Sequence, residues 1–93
     1  MLSLEEKRNI LHKFTELREK QDDLGRYYYY IDDSATKKKI VARELTDSGN
    51  GYVYAKYLPE YKNQLYKDGS VSIKDYTAEQ FREVVRKSID SLR

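Results

Sequence analysis

Apolar residues recur at helical spacing over the first quarter of the chain. Ser3 suits the N-cap position, and Glu6, three residues later, completes a capping box. Gly25 stands where a left-handed residue often ends a helix. The stripe consists of Leu4, Ile10, Leu11, Phe14, Leu17 and Leu24. Spacings of three, four and seven residues within this set predict a helix over residues 4–24.

A second stripe with the same periodicity occupies the end of the sequence. Thr77 is a suitable N-cap, and Gln80 completes a second capping box. The apolar positions that follow are Phe81, Val84, Val85, Ile89 and Leu92. This pattern predicts a helix over residues 78–92, with one apolar face turned toward a core.

The region between the two stripes is rich in the β-branched and aromatic residues that favour strands. The predicted strands are residues 26–32, 38–45 and 52–58. The turn-forming run 47–51 separates the second strand from the third, and Pro59, which has no N–H to donate, ends the third. Asp68-Gly69 lies at the centre of residues 63–74, which are consistent with a further small hairpin.

The order of these elements, α-β-β-β-(β-β)-α, predicts the fold class. We expect a single α+β domain, residues 1–93, in which the N- and C-terminal helices pack on an antiparallel sheet. Leu, Ile, Val and Phe together number only 21 of the 93 residues. Ten of the twelve aromatic residues are tyrosines, all between positions 27 and 76, so some tyrosines must supply core volume.

Strand alternation sorts the residues of the predicted sheet into two faces. The core face is predicted to hold Tyr27, Tyr29, Ile31, Ile40, Ala42, Val53, Ala55 and Tyr57. The second face is predicted to hold Arg26, Tyr28, Tyr30, Lys39, Val41, Arg43, Tyr52, Tyr54 and Lys56. This second set is aromatic and cationic and contains no acid. Either the terminal helix, a second copy of the chain or a ligand is needed to cover it.

Composition argues against most enzyme classes. Cysteine is absent, which excludes disulfides, thiol chemistry and thiolate metal sites, and His12 is the only histidine. No phosphate-binding loop or nucleophile motif is present, so we expect no catalytic site, no cofactor and no metal. The chain has no apolar run long enough to span a membrane and no signal-peptide pattern at its start. We therefore expect a cytoplasmic protein without a membrane partner.

One short motif resembles a catalytic signature. Tyr30-Ile31-Asp32-Asp33 matches the Tyr-x-Asp-Asp sequence of reverse transcriptases, in which the two aspartates hold catalytic Mg²⁺ at a hairpin turn. A polymerase palm also needs a further carboxylate on another strand and a much longer chain. We therefore interpret Asp32 and Asp33 as residues of a turn that ends a strand.

A wider segment resembles a DNA-binding family. The run Gly25-Arg26-Tyr27-Tyr28-Tyr29-Tyr30-Ile31-Asp32, followed by two strands and a closing helix over residues 25–92, is similar to the arm-type DNA-binding domain of tyrosine recombinases from integrative elements. In that family a three-stranded sheet, backed by a helix, lies in the major groove. The resemblance implies that the residues at the DNA are Arg26, Tyr28, Tyr30, Lys39, Arg43 and Lys56.

Two functions are compatible with the second face. Tyrosine rings beside Lys and Arg can stack on bases and neutralise phosphates, which favours a non-enzymatic module that binds DNA or RNA. The same composition is typical of protein interfaces, so a phage or mobile-element modulator, or a homodimer joined through this face, is the alternative. The net charge of +2 favours the alternative. In either case the predicted binding residues are Arg26, Tyr28, Tyr30, Lys39, Arg43, Tyr52, Tyr54 and Lys56.

Overall fold

Residues 2–93, which the computed structural model describes, form two α-helices and five strands. Their bounds are α1 Leu4–His12, β1 Arg18–Gln21, β2 Tyr27–Tyr30, β3 Ile40–Leu45, β4 Tyr52–Tyr54, β5 Ser70–Ser72 and α2 Ala78–Leu92. A 3₁₀ helix, Pro59–Gln64, lies between β4 and β5. The predicted α+β class is confirmed. No helix in this range is long and apolar enough to cross a membrane.

The five strands form one antiparallel sheet in the order β1-β2-β3-β4-β5. Strand pairing places one residue of each strand in a continuous row that faces the helices: Glu19, Tyr29, Ala42, Val53 and Val71. The last four are buried, and they share the core with Leu11 of α1 and Phe81, Val84 and Val85 of α2. Both helices therefore pack on the same side of the sheet.

The predicted helix over residues 4–24 is wrong beyond its first nine residues. The helix α1 ends at His12, and successive turns carry the chain through Phe14 to β1. Arg, Glu, Lys and Gln favour helices, but in β1 their backbone pairs residue by residue with β2, and such pairing overrides intrinsic propensity. Gly25, at φ 80°, is not a helix cap but the last residue of the β1–β2 turn, where its N–H bonds to the Asp22 carbonyl.

The other predicted elements differ mainly in length. The three predicted strands 26–32, 38–45 and 52–58 are shortened to β2, β3 and β4. After β4, the Leu58 N–H bonds to the Ala55 carbonyl and turns the chain away from the sheet. The hairpin predicted over residues 63–74 is wrong, since residues 65–67 form no strand and β5 pairs with β4 instead. The predicted helix 78–92 is confirmed as α2, as are the capping boxes at Ser3 and Thr77.

A bulge in β3 changes the predicted division into two faces. Tyr29 pairs with Ala42 and Tyr30 pairs with Ile40, so Val41 has no partner of its own on β2. An unpaired residue of this kind interrupts strict alternation. Val41 is consequently buried together with Ala42, whereas Ile40, predicted in the core, is 36% exposed. Tyr57, also predicted in the core, lies beyond the end of β4 and is 50% exposed.

A buried lysine joins α1 to the β3–β4 turn. The Lys7 side chain is fully buried, and Nζ donates a hydrogen bond of 2.6 Å to the Gly49 carbonyl. Burial lowers the pKa of the Lys7 ammonium group, and the nearby Asp75 partly offsets this effect. A buried carbonyl without a hydrogen-bond partner is unfavourable, and the bond from Lys7 supplies the partner that the Gly49 carbonyl needs.

A single carboxylate fastens the edge strand β1 to α1. Glu19 accepts hydrogen bonds from Arg8 Nε and Nη2, both at 3.1 Å, from His12 Nε2 at 2.8 Å, and from the Tyr29 hydroxyl. Burial acts to raise the pKa of Glu19, but the hydrogen bonds from Arg8, Tyr29 and His12 outweigh it and lower the pKa to about 2. The ionised form of Glu19 thus stabilises the folded state.

This arrangement predicts a loss of stability in acid. Since the pKa of Glu19 falls from 4.5 to about 2 on folding, its stabilisation is present above about pH 4.5 and is lost as the pH falls toward about 2. After allowance for solvent screening we expect the loss to be about 1–2 kcal/mol. Urea unfolding at a series of pH values measures it. The variant Glu19→Gln should show a flatter pH dependence, and a slope equal to that of the wild type would contradict the assignment.

Candidate functional site

The side of the sheet opposite the helices is the candidate site. Strand pairing places ten residues on this side, which we call the open face: Arg18, Lys20, Tyr28, Tyr30, Ile40, Arg43, Tyr52, Tyr54, Ser70 and Ser72. Neither α1 nor α2 covers it, because both pack on the opposite side. Large exposed or half-exposed aromatic side chains on one surface mark an interaction site more often than scattered ones do.

The two arginines predicted to bind a partner are held by carboxylates. Arg26 Nε lies 2.8 Å from Asp22, and its Nη1 lies 3.0 Å from Glu44. Arg43 also pairs with Glu44, and its Nη2 lies 2.7 Å from Asp68. The predicted absence of acids from this face is therefore wrong. Asp22 and Asp68 come from turns flanking the strands, and strand alternation alone does not reveal them.

Glu44 reaches this position through an unusual backbone conformation. Its φ is 57°, the left-handed region that residues with a side chain rarely adopt. The cause is a second irregularity in the β2–β3 pairing, between the pairs Tyr27–Leu45 and Tyr29–Ala42. The strained residue sets one carboxylate between Arg26 and Arg43, and both guanidinium groups are thereby fixed in position.

The tyrosines near β4 and β5 are packed against cations and one another. Tyr52 lies edge-on to Tyr66 with ring centroids 5.6 Å apart, and the guanidinium of Arg43 lies 4.4 Å from the Tyr52 ring centre. Tyr54 is only 8% exposed, because Lys38 Nζ lies 4.8 Å from its ring and Tyr57 packs at 6.1 Å. In this part of the open face, which we call the satisfied part, the rings and cations already contact one another. Tyr54 therefore contributes to the packing of the sheet.

The part of the open face near β1 and β2 is different. There a groove of about 460 Å³ is lined by Lys20, Asp22, Tyr28, Tyr30, Lys39 and Ile40. The Tyr28 hydroxyl donates to Asp22 Oδ2 at 3.1 Å, which fixes the orientation of that ring. Within residues 2–93, neither Lys20 nor Lys39 forms an ion pair. The groove thus combines aromatic rings with two lysines that have no ion-pair partner among the described residues, and its one carboxylate, Asp22, pairs with Arg26.

The eight predicted binding residues do not form one site. Tyr28, Tyr30 and Lys39 meet in the groove, whereas Arg26, Arg43, Tyr52 and Tyr54 belong to the satisfied part of the face. Lys56 is exposed and lies 6.0 Å from the Tyr57 ring. Sequence reasoning missed Lys20, because the segment was interpreted as helix, and Ile40, because of the bulge. Arg18 and Lys20 are two residues apart, a spacing that in a strand places both on the same face, and this signal could have identified Lys20 as a residue of the sheet.

The aspartates of the Tyr-x-Asp-Asp motif have separate partners. Asp32 pairs with Arg18, and Asp33 Oδ2 lies 2.9 Å from Arg93 Nε at the end of α2. Residues 2–93 contain no cluster of three or more His, Cys, Asp and Glu side chains that could hold a metal ion. The structure therefore does not bring these two carboxylates to a common site.

Comparison of the chain with protein-family models, with curated proteins and with solved structures finds no match.

Proposed function

We propose that this protein is a non-enzymatic module that binds nucleic acid through the open face of its sheet. The observation that carries the proposal is the groove, in which Tyr28 and Tyr30 lie beside two lysines without carboxylate partners. Aromatic rings next to free cations provide both stacking surfaces and phosphate contacts. The resemblance to recombinase arm-type domains stays a prediction. Domains of that family also contact DNA through a sheet.

The distribution of charge supports an anionic partner at the groove. Arg26 and Arg43 are neutralised by their carboxylates, so their contribution to long-range attraction is small. Lys20 and Lys39 line the groove and have no carboxylate partner within residues 2–93. Lysine side chains of this kind neutralise phosphates and release counterions, which makes binding dependent on salt.

We expect the double variant Lys20→Glu, Lys39→Glu to bind labelled oligonucleotides about tenfold or more weakly than the wild type. Two lost phosphate contacts should also reduce the slope of log affinity against log salt by about 1.4 on single strands. Fluorescence anisotropy over a salt series measures both quantities. The control is Lys13→Glu, Lys62→Glu, which changes the net charge equally at two exposed residues outside the groove. Equal losses in both double variants would contradict the proposal.

A protein partner is the second candidate, and the paired arginines favour it. Ion pairs and stacked rings at Arg43 and Tyr52 leave that part of the face nearly neutral, as at many protein interfaces. If two copies associate there, the wild type should sediment as a dimer, and Tyr52→Ala or Tyr66→Ala should give monomers. A dimer that survives both substitutions would contradict this candidate. Under this second candidate function, the protein is a modulator encoded by a phage or a mobile element.

A further inference from the structure

We propose that the groove binds a single-stranded nucleic acid in preference to a duplex, with unpaired bases stacked on Tyr28 and Tyr30 and the adjacent phosphates at Lys20 and Lys39. This inference rests on the proposed function and specifies its ligand. The groove supplies both elements of the argument, since its rings and its lysines line the same space of about 460 Å³.

The spacing of the two rings favours unstacked bases. Tyr28 and Tyr30 are two residues apart on the same face of β2, so their Cα atoms are separated by about 7 Å. Successive nucleotides along one strand of a duplex rise by only about 3.4 Å. Two rings at this separation can each accept a base only where the strand is extended and its bases are no longer stacked on each other.

A duplex is disfavoured on different grounds. The flat surfaces of its bases are hidden within the stack, so a tyrosine on a sheet face can reach base edges, sugars and phosphates but has no base surface on which to stack. The open face also carries the carboxylates of Asp22, Glu44 and Asp68 along its length. These three carboxylates pair with only two cations, Arg26 and Arg43, so the cluster carries one net negative charge and offers no attraction to the second phosphate strand of a duplex.

The Tyr28 ring is held ready for stacking. Its hydroxyl is bonded to Asp22, and the same carboxylate accepts hydrogen bonds from the backbone N–H groups of Leu24 and Arg26, both at 2.9 Å. Because Asp22 is anchored by the turn, the ring loses little freedom when a base binds. Fixing a side chain before binding increases affinity by reducing the entropy lost on association.

The experiment compares three labelled probes with the wild-type protein at low salt. These are single-stranded oligothymidine, an abasic oligodeoxynucleotide with the same number of phosphates, and a duplex of the same length. We expect the oligothymidine to bind at least about 30-fold more tightly than the abasic strand, because two base stacks are lost in the abasic probe. We also expect the duplex to bind more weakly than the oligothymidine.

A double variant that changes no charge tests whether the preference for oligothymidine over the abasic strand arises in the groove. Tyr28→Leu, Tyr30→Leu should bind oligothymidine and the abasic strand with nearly equal affinity, whereas Tyr57→Leu, a substitution outside the groove, should keep the wild-type difference. Equal affinity of the wild type for all three probes would overturn this inference and leave the proposed function standing. No binding of any probe would overturn both. Oligoglutamate that competes as well as oligothymidine would overturn the inference in favour of an acidic peptide.

Discussion

Replacing Gly69 by alanine is expected to destabilise the protein by about 2–4 kcal/mol, because two separate penalties combine. Gly69 has a φ of 86°, a conformation in which a Cβ atom is strained. That Cβ would also lie 2.8 Å from the Lys56 Cβ and 3.1 Å from the Tyr54 Cε1. The Lys56 atom is the base of a side chain and cannot swing away, so the turn before β5 must move.

The control for this prediction is Gly25→Ala. Gly25 has a similar φ of 80°, but the nearest atom to its added Cβ is the Gln21 Nε2 at 3.8 Å. Only the backbone penalty of about 1–2 kcal/mol should remain there. Urea unfolding of both variants gives the two free energies. Equal losses would show that the crowding at Gly69 has no effect on stability.

Replacing Glu19 by alanine is expected to cost about 2–4 kcal/mol, although Glu19 lies in an edge strand. The carboxylate is the common acceptor for Arg8, His12 and the Tyr29 hydroxyl. The Tyr29 side chain is 1% exposed, so its hydroxyl would lose its partner inside the protein. The β1 strand should loosen from α1, and with it Lys20 at the groove.

Two comparisons isolate the cause of that loss. Glu19→Gln keeps an acceptor of similar shape and should lose clearly less stability than Glu19→Ala. Glu60→Ala removes an exposed ion pair with Lys87 and should have no measurable effect. Chemical denaturation combined with hydrogen exchange of the β1 amides measures both stability and local opening. Full retention of stability in Glu19→Ala would show that the cluster does not hold β1 in place.

The sequence predicts the helices well where local signals and packing agree. Both capping boxes and all of α2 follow from apolar spacing and the cap residues. The end of α1 does not, because Arg18–Gln21 becomes a strand only through pairing with the tyrosines of β2. Lys7 lies on the apolar stripe, three residues after Leu4 and three before Ile10, so its burial had a signal in the sequence.

The composition of the open face is less accessible to sequence reasoning. Alternation correctly places Tyr28, Tyr30 and Tyr52 on the face opposite the core. It cannot show the bulge that buries Val41, nor the turns that bring Asp68 beside Arg43. These features depend on which strands are neighbours in space. A single sequence shows the alternation within each strand. Which charged side chains become neighbours and neutralise one another depends on how the strands pair, and the sequence alone does not show this pairing.

Amide chemical-shift mapping with single-stranded oligothymidine tests the central claim most directly, namely that the open face is the binding surface. We predict that the shifts concentrate on Lys20, Tyr28, Tyr30, Lys39 and Ile40, which line the groove. Residues on the outer surfaces of α1 and α2 should be unaffected. Shifts that concentrate on the two helices, with the groove unchanged at saturating oligonucleotide, would contradict the account.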